Sequence, residues 1–392
     1  MKTIQYVGIA LAAGFSSGVL WLLTLPSMAS QPSVQLKTTP ALSQLIPATE
    51  PVQLMLTAID AKQKPLRNAH LQVRLYTPPK TPWLTSDFPI VEGTTLLELG
   101  TTPVKPISEN APMGSLKVAQ VLPIRGSYRM EVRVTPAIAG AFVPFQQTLF
   151  FSVPENPVKY RNLAILATIL LLAGLGSGWV LGGSQTVHDG EIAPKPVRML
   201  LSGAILMAIA VLLYINITAE QASSHSDHSH QPDLQQTTPA VQRLQGIEVR
   251  LSGERQAVVG QPATQTVHIH EAETGKPISD VLLKVQAIAL EHNEQVFSYQ
   301  STPTSDGELT WRQQFFDGAP HRVSVEVIPR AGAKRQFQPL QVAHEVEVEG
   351  IAPPLWVRLI SLGYFTFIYI VGLSIGLRLR RRKVMPASSS LS

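Results

Sequence analysis

The 392-residue chain contains no cysteine. Disulfides, thiolate metal centres and cysteine nucleophiles are therefore excluded, and any metal site has to use histidine, methionine or oxygen ligands. Charge is also scarce. Asp, Glu, Lys and Arg supply 15% of the residues, against about a quarter in ordinary soluble domains, a deficit that points to membrane segments. Aromatic residues make up only 6% and do not interleave with basic ones, so the net charge of +5 does not describe a nucleic-acid groove. The densest basic run, "GLRLRRRK" at 376–383, instead abuts an apolar stretch. There is no Gly-rich phosphate loop, no H-E-x-x-H and no G-x-S-x-G, and the carboxylates fall singly on alternating positions. Nothing in these motifs points to an enzyme.

Four stretches are apolar over about 20 residues, the length that crosses a bilayer: 4–25, 163–181, 199–217 and 359–377. The last three carry no charge, unlike the amphipathic core helices of soluble domains. The first starts with Lys2 and ends near Ser27-Met28-Ala29, so 1–29 reads as a signal anchor or a cleaved signal peptide. Lys2, the pair Lys195 and Arg198 in the short loop 182–198, and the basic tail 378–392 fall on one side if the spans alternate. Basic residues mark the cytoplasmic side, which puts both long intervening regions outside. No charge lies at the centre of a span, and that argues against a pump or channel.

The outside regions resemble each other. "KPLRNAHLQVRL" from Lys64 pairs with "KPISDVLLKVQA" from Lys276, and "GSLKVAQVLPIRGSYRMEVRVTP" from Gly114 aligns without gaps on "GELTWRQQFFDGAPHRVSVEVIP" from Gly307. An apolar stretch follows each copy. A duplicated helix–sandwich–helix plan makes 4–25 the counterpart of 199–217 and favours its retention. Within the copies Tyr128, Met130, Val132 and Val134 alternate with charged residues, and Val323, Val325 and Val327 alternate with Arg322, Ser324 and Glu326. Such period-two patterning predicts an antiparallel sheet with one wet face. The expected fold is a membrane protein with all-β ectodomains: two immunoglobulin-like β-sandwiches at 45–157 and 245–350 and three to four transmembrane helices. The segment 76–113 reads as an insertion peculiar to the first sandwich, either an elaboration of it or a partner surface.

"DAKQKPLRNAHLQV" with "GSYRMEVRV", echoed by "ETGKPISDVLLKV" with "HRVSVEV", resembles bacterial immunoglobulin-like domains and is similar to the YtkA-like and FixH-like membrane-anchored modules. That resemblance implies a link to copper handling or oxidase assembly. No functional residue transfers from it by position.

Histidines cluster in the second half. His225, His228 and His230 lie in the linker 218–244, where with Asp227 and Asp233 they can chelate copper or zinc without a fold, or form only a solvated tether. His268 and His270 in "VHIHE" share one strand face and can grip a metal, though no third ligand is evident. His344 has the parity of the inward valines, and His321 stands where the first copy has Tyr128. Gly174, Gly178 and Gly182, with Gly14/Gly18 and Gly372/Gly376, make small-residue stripes for helix packing within the chain or between chains. Two expectations follow: an accessory or scaffold of a membrane complex with a protein partner, or an extracytoplasmic copper- or zinc-binding protein.

Overall fold

Alternation of apolar and polar residues sends one face of each strand inward, and the strands assemble in an order that joins the two halves. The computed structural model describes residues 31–66, 69–81, 86, 88–103, 115–183, 194, 196–201, 203, 239–330 and 335–384. The first half comprises β1 (Ser33–Thr39), β2 (Pro51–Ile59), β3 (Ala69–Tyr76), β4 (Thr95–Pro103), β5 (Ser115–Val121), β6 (Gly126–Pro136), β7 (Phe145–Val153) and helix α1 (Pro157–Leu181). The second comprises β8 (Ala240–Leu244), β9 (Ile247–Gly253), β10 (Gln256–Val258), β11 (Pro262–Glu271), β12 (Val281–Ala289), β13 (Glu294–Ser301), β14 (Glu308–Gln314), β15 (His321–Pro329), β16 (Leu340–Glu349) and helix α2 (Leu355–Val384).

Two eight-stranded sheets form, ordered β1-β2-β5-β13-β12-β15-β16-β10 and β7-β6-β3-β4-β14-β11-β9-β8. Every adjacent pair is antiparallel except β10 with β16. The expected sandwiches are thus fused edge to edge rather than separate. β5 pairs with β13 in one sheet, Ala119 opposite Ser298, and β4 pairs with β14 in the other, Glu98 opposite Arg312. Leu97, Leu99, Phe297, Tyr299 and Trp311 on these junction strands are fully buried, and one hydrophobic core runs through both halves. Gly100 permits the close approach, because a Cβ there would lie 2.5 Å from the Thr310 carbonyl oxygen.

Three expected boundaries change. The sheet begins at Ser33, ahead of residue 45, because "SVQLKTT" pairs along the whole of β2. The second half begins at Ala240, ahead of 245, through the β8–β9 hairpin. The supposed insertion 76–113 contains β4, one of the two strands that join the halves in this sheet; Gly100 in its middle and Pro103 at its end weaken the strand signal. The part between β3 and β4 also reaches the other half. Phe88 meets Phe316 edge-on at 5.7 Å, Gln314 donates to Thr94 Oγ1 at 2.9 Å, and Gly260, at φ +90°, leaves room for Ile90. The partner of this segment is the second half of its own chain.

Among the described residues two helices, α1 and α2, are long and apolar enough to cross a membrane. Their glycine stripes face each other. A Cβ on Gly174 would run into the carbonyl of Tyr369, one on Gly178 into that of Leu373, one on Gly372 into that of Leu171 and one on Gly376 into that of Leu175. Both series ascend together, so the helices are parallel, and close backbone contact replaces the hydrophobic drive that lipid removes. Tyr369 donates its hydroxyl to Ser177 Oγ at 2.9 Å, and Ser177 donates to the Ala173 carbonyl at 2.8 Å. The stretch 4–25 lies outside the described residues; of 199–217 only 199–201 and 203 are described, and those are helical. Replacing Gly178 with isoleucine is expected to lower the thermal midpoint of the detergent-solubilised protein by several degrees. The same change at Gly176, whose Cβ would meet nothing within 4 Å, should leave it unmoved.

Candidate functional site

The strands place the sequence-predicted histidines in three settings. His268 and His270 project from the same face of β11, their rings near-parallel with centroids 6.1 Å apart. They are half-buried, because β9 and β14 flank them: Arg250 and Glu308 sit opposite His268, and Glu248 sits opposite His270. His268 Nδ1 lies 3.9 Å from Glu308 Oε2, and His270 Nδ1 is buried without a hydrogen-bond partner. Glu248 is committed elsewhere. It accepts from Arg250 and Arg243, at 3.1 and 2.7 Å, and these bonds hold its carboxyl below the usual range. No group of three His, Asp or Glu side chains among the described residues is arranged to hold a metal ion. His225, His228 and His230 lie outside the described residues.

His321 and His344 are buried in the second half's core, His344 as its parity indicated and His321 at the place of Tyr128. In the first half the equivalent start of β6 carries Tyr128, whose hydroxyl donates to the Ile124 carbonyl at 2.6 Å and accepts from the Ile124 amide at 3.1 Å. This contact is the tyrosine corner of immunoglobulin-like sandwiches, a phenol tying a strand start to the chain just upstream. His321 takes over that place with its Nδ1 2.7 Å from the Ala319 carbonyl and its ring against Phe315. His344 Nε2 is buried with no hydrogen-bond partner. Burial lowers the pKa of both histidines, that of His344 to about 4, with Arg255 adding to the effect there.

Over the β4–β14 junction the outer face holds a shallow groove of about 370 Å³, lined among others by Arg74, Glu98, Gly100, Arg133 and Arg312. Glu98 bridges the halves, lying 2.5 Å from Arg74 of β3 and 3.5 Å from Arg312 of β14. Tyr76 donates to Glu131 at 3.3 Å and carries the Arg129 guanidinium over its ring. Exposed ion pairs of this kind contribute roughly 0–1 kcal/mol each. Their pairing across the junction reads as register-keeping more than as a ligand site.

The feature that sequence reasoning passed over is the β6–β7 hairpin tip. Between Pro136 and Pro144 it reads "AIAGAFV", with no polar or charged side chain. Ile138 and Val143 are 60% and 83% exposed. Phe142 packs toward Phe145 at 6.5 Å and props the tip from inside. β6 starts beside the end of β7 that feeds α1, Gly126 opposite Val153, so its other end puts the tip at the pole remote from the helices. The second half's corresponding segment, "RAGAKRQFQ" from Arg330, is basic and polar. The signal that could have found the tip was this difference between the two copies.

No protein-family model matches the chain, and no characterised protein sequence does. The chain is similar in structure to a copper-bound variant of FetP from uropathogenic Escherichia coli, at 14% identity and TM-score 0.22, covering 29% of this chain and 97% of that one. It is similar also to the adhesin InvE of Yersinia pseudotuberculosis, at 10% identity and TM-score 0.18, covering 80% and 60%. Invasin, a bacterial integrin-binding protein, matches at 8% identity and TM-score 0.20, covering 83% and 41%. Likenesses at these scores carry nothing about function.

The buried imidazoles fix a pH dependence. Their folded pKa values lie below the ordinary 6.5, so the unfolded chain binds more protons as pH falls from about 6.5 to about 4. Stability from these groups is complete above pH 6.5 and is lost through that window. The His344→Leu variant, which places at this position the leucine that the first half carries at Leu149, should flatten the decline in urea midpoint between pH 7 and pH 4.5. An unchanged slope would show that His344 does not titrate on unfolding.

Proposed function

We propose that this chain is a non-enzymatic integral membrane protein whose two sandwich halves, copies of one ancestral unit, form a single head that serves as an accessory or scaffold of a membrane complex. Parallel helices that both descend from the head support this reading, since they place both halves on the same side of a bilayer. In it α1, α2 and the stretch 199–217 cross the membrane, the basic tail is cytoplasmic, and the head lies outside a bacterial inner or comparable energy-coupling membrane. The stretch 4–25 would make a fourth span if it is kept.

The observation that carries the scaffold role is the apolar tip at 136–144. A monomeric domain gains nothing by holding isoleucine and valine in water at its far pole, and exposed apolar patches of this kind mark interaction sites. The tip would seat in an apolar recess on an extracytoplasmic protein. The copper or zinc alternative has less behind it, two imidazoles without a third ligand on β11 and three histidines outside the described residues.

Crosslinking of the full chain in its own membranes, followed by mass spectrometry, checks the proposal. One partner should recur with the wild type and fall at least tenfold with Ile138→Glu combined with Val143→Glu, at an unchanged thermal midpoint. A partner retained by that variant would rule out the tip, and a solitary monomer would contradict the scaffold reading.

A further inference from the structure

The strand order fixes where the polypeptide enters the head, and that position bears on the fate of the first apolar stretch. β7 leads into α1 after Val153, so the pole at Val153 is the membrane side. β5 ends at that pole, one short loop before Gly126 begins β6 opposite Val153. Pro51 at the start of β2 pairs with Val121 at the end of β5, so β2 runs from the membrane pole to the far pole, ending at Ile59. Ser33, the first residue of β1, pairs with Ile59. The chain therefore enters the first half at the pole remote from the membrane. A contact between the two sheets agrees: the Val34 amide donates to Gln147 Oε1 at 2.6 Å, close to the far end of β7.

We infer that residues 1–29 are a signal peptide removed by hydrolysis after Ala29, and that the mature chain begins at the far pole of the head. The inference rests on the membrane reading above, and its core is a comparison of lengths. β2 has nine residues, so its ends are about 26 Å apart at about 3.3 Å per residue. Between the strand ends and the apolar part of α1 the first helical turns add about 9 Å more at about 1.5 Å per residue. From residue 25 to Ser33 the chain can reach no more than about 28 Å even when fully extended. A stretch 4–25 kept in the same bilayer could not deliver Ser33 to its place beside Ile59.

The second half shows what a retained preceding span requires. Residues 218–239 separate the stretch 199–217 from β8, and β8 itself climbs the head. It starts with Ala240 opposite Leu251, turns at Gln245 and Gly246, and hands the chain to β9 at the far pole, where Ile247 pairs with Glu271. The first half has no strand corresponding to β8 among the described residues, and β1 is the edge of its sheet. The residues before β1 supply the small side chains that a signal peptidase reads, Ser27 and Ala29, with exposed Gln31 and Pro32 just beyond. In the cut, water adds its hydroxyl to the Ala29 carbonyl as the Ala29–Ser30 amide bond breaks, and its remaining proton leaves Ser30 with a free amine. The repeat-based expectation that 4–25 persists as the counterpart of 199–217 is reversed by this reasoning.

The test uses the full chain with a C-terminal tag, expressed in a bacterial host beside the Ala29→Phe variant. Membranes are washed at alkaline pH, and the retained protein is analysed by intact mass and N-terminal sequencing. The wild type is expected to resist the wash and begin at Ser30, while Ala29→Phe keeps residues 1–29. Wild-type protein that resists the wash yet begins at Met1 would overturn the processing inference and leave the membrane reading standing. Release of a chain beginning at Ser30 by the wash would sink the membrane reading instead, and with it the length comparison.

Discussion

The structure depends on the pairing of strand edges between its halves. A sandwich of seven or nine strands leaves open edges, and an open edge invites pairing with any other chain. Here β4 and β5 of the first half are closed by β14 and β13 of the second, one pair in each sheet. Closing both edges at once aligns the two cores into one and fixes the halves against rotation. It also fixes where the chain leaves each half, so α1 and α2 descend side by side. Their glycines then let the backbones touch over two turns. Head and helices form one continuous pairing of the first half with the second, which a single chain holds at high effective concentration.

What distinguishes the halves is as informative as what they share. The core positions match, down to the histidine that stands in for a tyrosine at the start of β15. The differences gather at the surface and at the entry points. One hairpin tip is apolar and its counterpart basic. The stretch between β3 and β4 is long only in the first half, where it laps onto the second through Phe88 and Ile90. The climbing strand β8 has no counterpart among the described residues of the first half. Differences confined to such places fit a head whose frame is common and whose contacts are specialised.

Much of this was legible in the sequence because period two is a strong signal when one face is wet. β6 and β16 follow their alternation residue by residue, and the inward setting of His344 could be read from parity alone. The glycine stripes of the helices were legible as contact surfaces, but which helix met which depended on the head above them. The junction was not legible. Its strand β4 carries Gly100, a residue that scores poorly as a strand former yet suits the close approach of β14. The half-burial of His268 and His270 likewise depends on neighbours from β9 and β14, which spacing along one strand cannot report.

The absence of cysteine makes the central claim directly testable. Ala119→Cys combined with Ser298→Cys puts one thiol on each of two strands that lie opposite in register across the junction. Directly opposed residues of an antiparallel pair fall within the Cα separation that a disulfide spans, about 4.4–6.8 Å. The measurement is the number of thiols that can be alkylated after mild oxidation of the folded, membrane-embedded double variant, read by mass spectrometry. A fused head predicts an intramolecular disulfide and no reactive thiol. Two freely alkylated thiols in a protein that otherwise keeps its thermal midpoint would contradict it and leave two independent sandwiches.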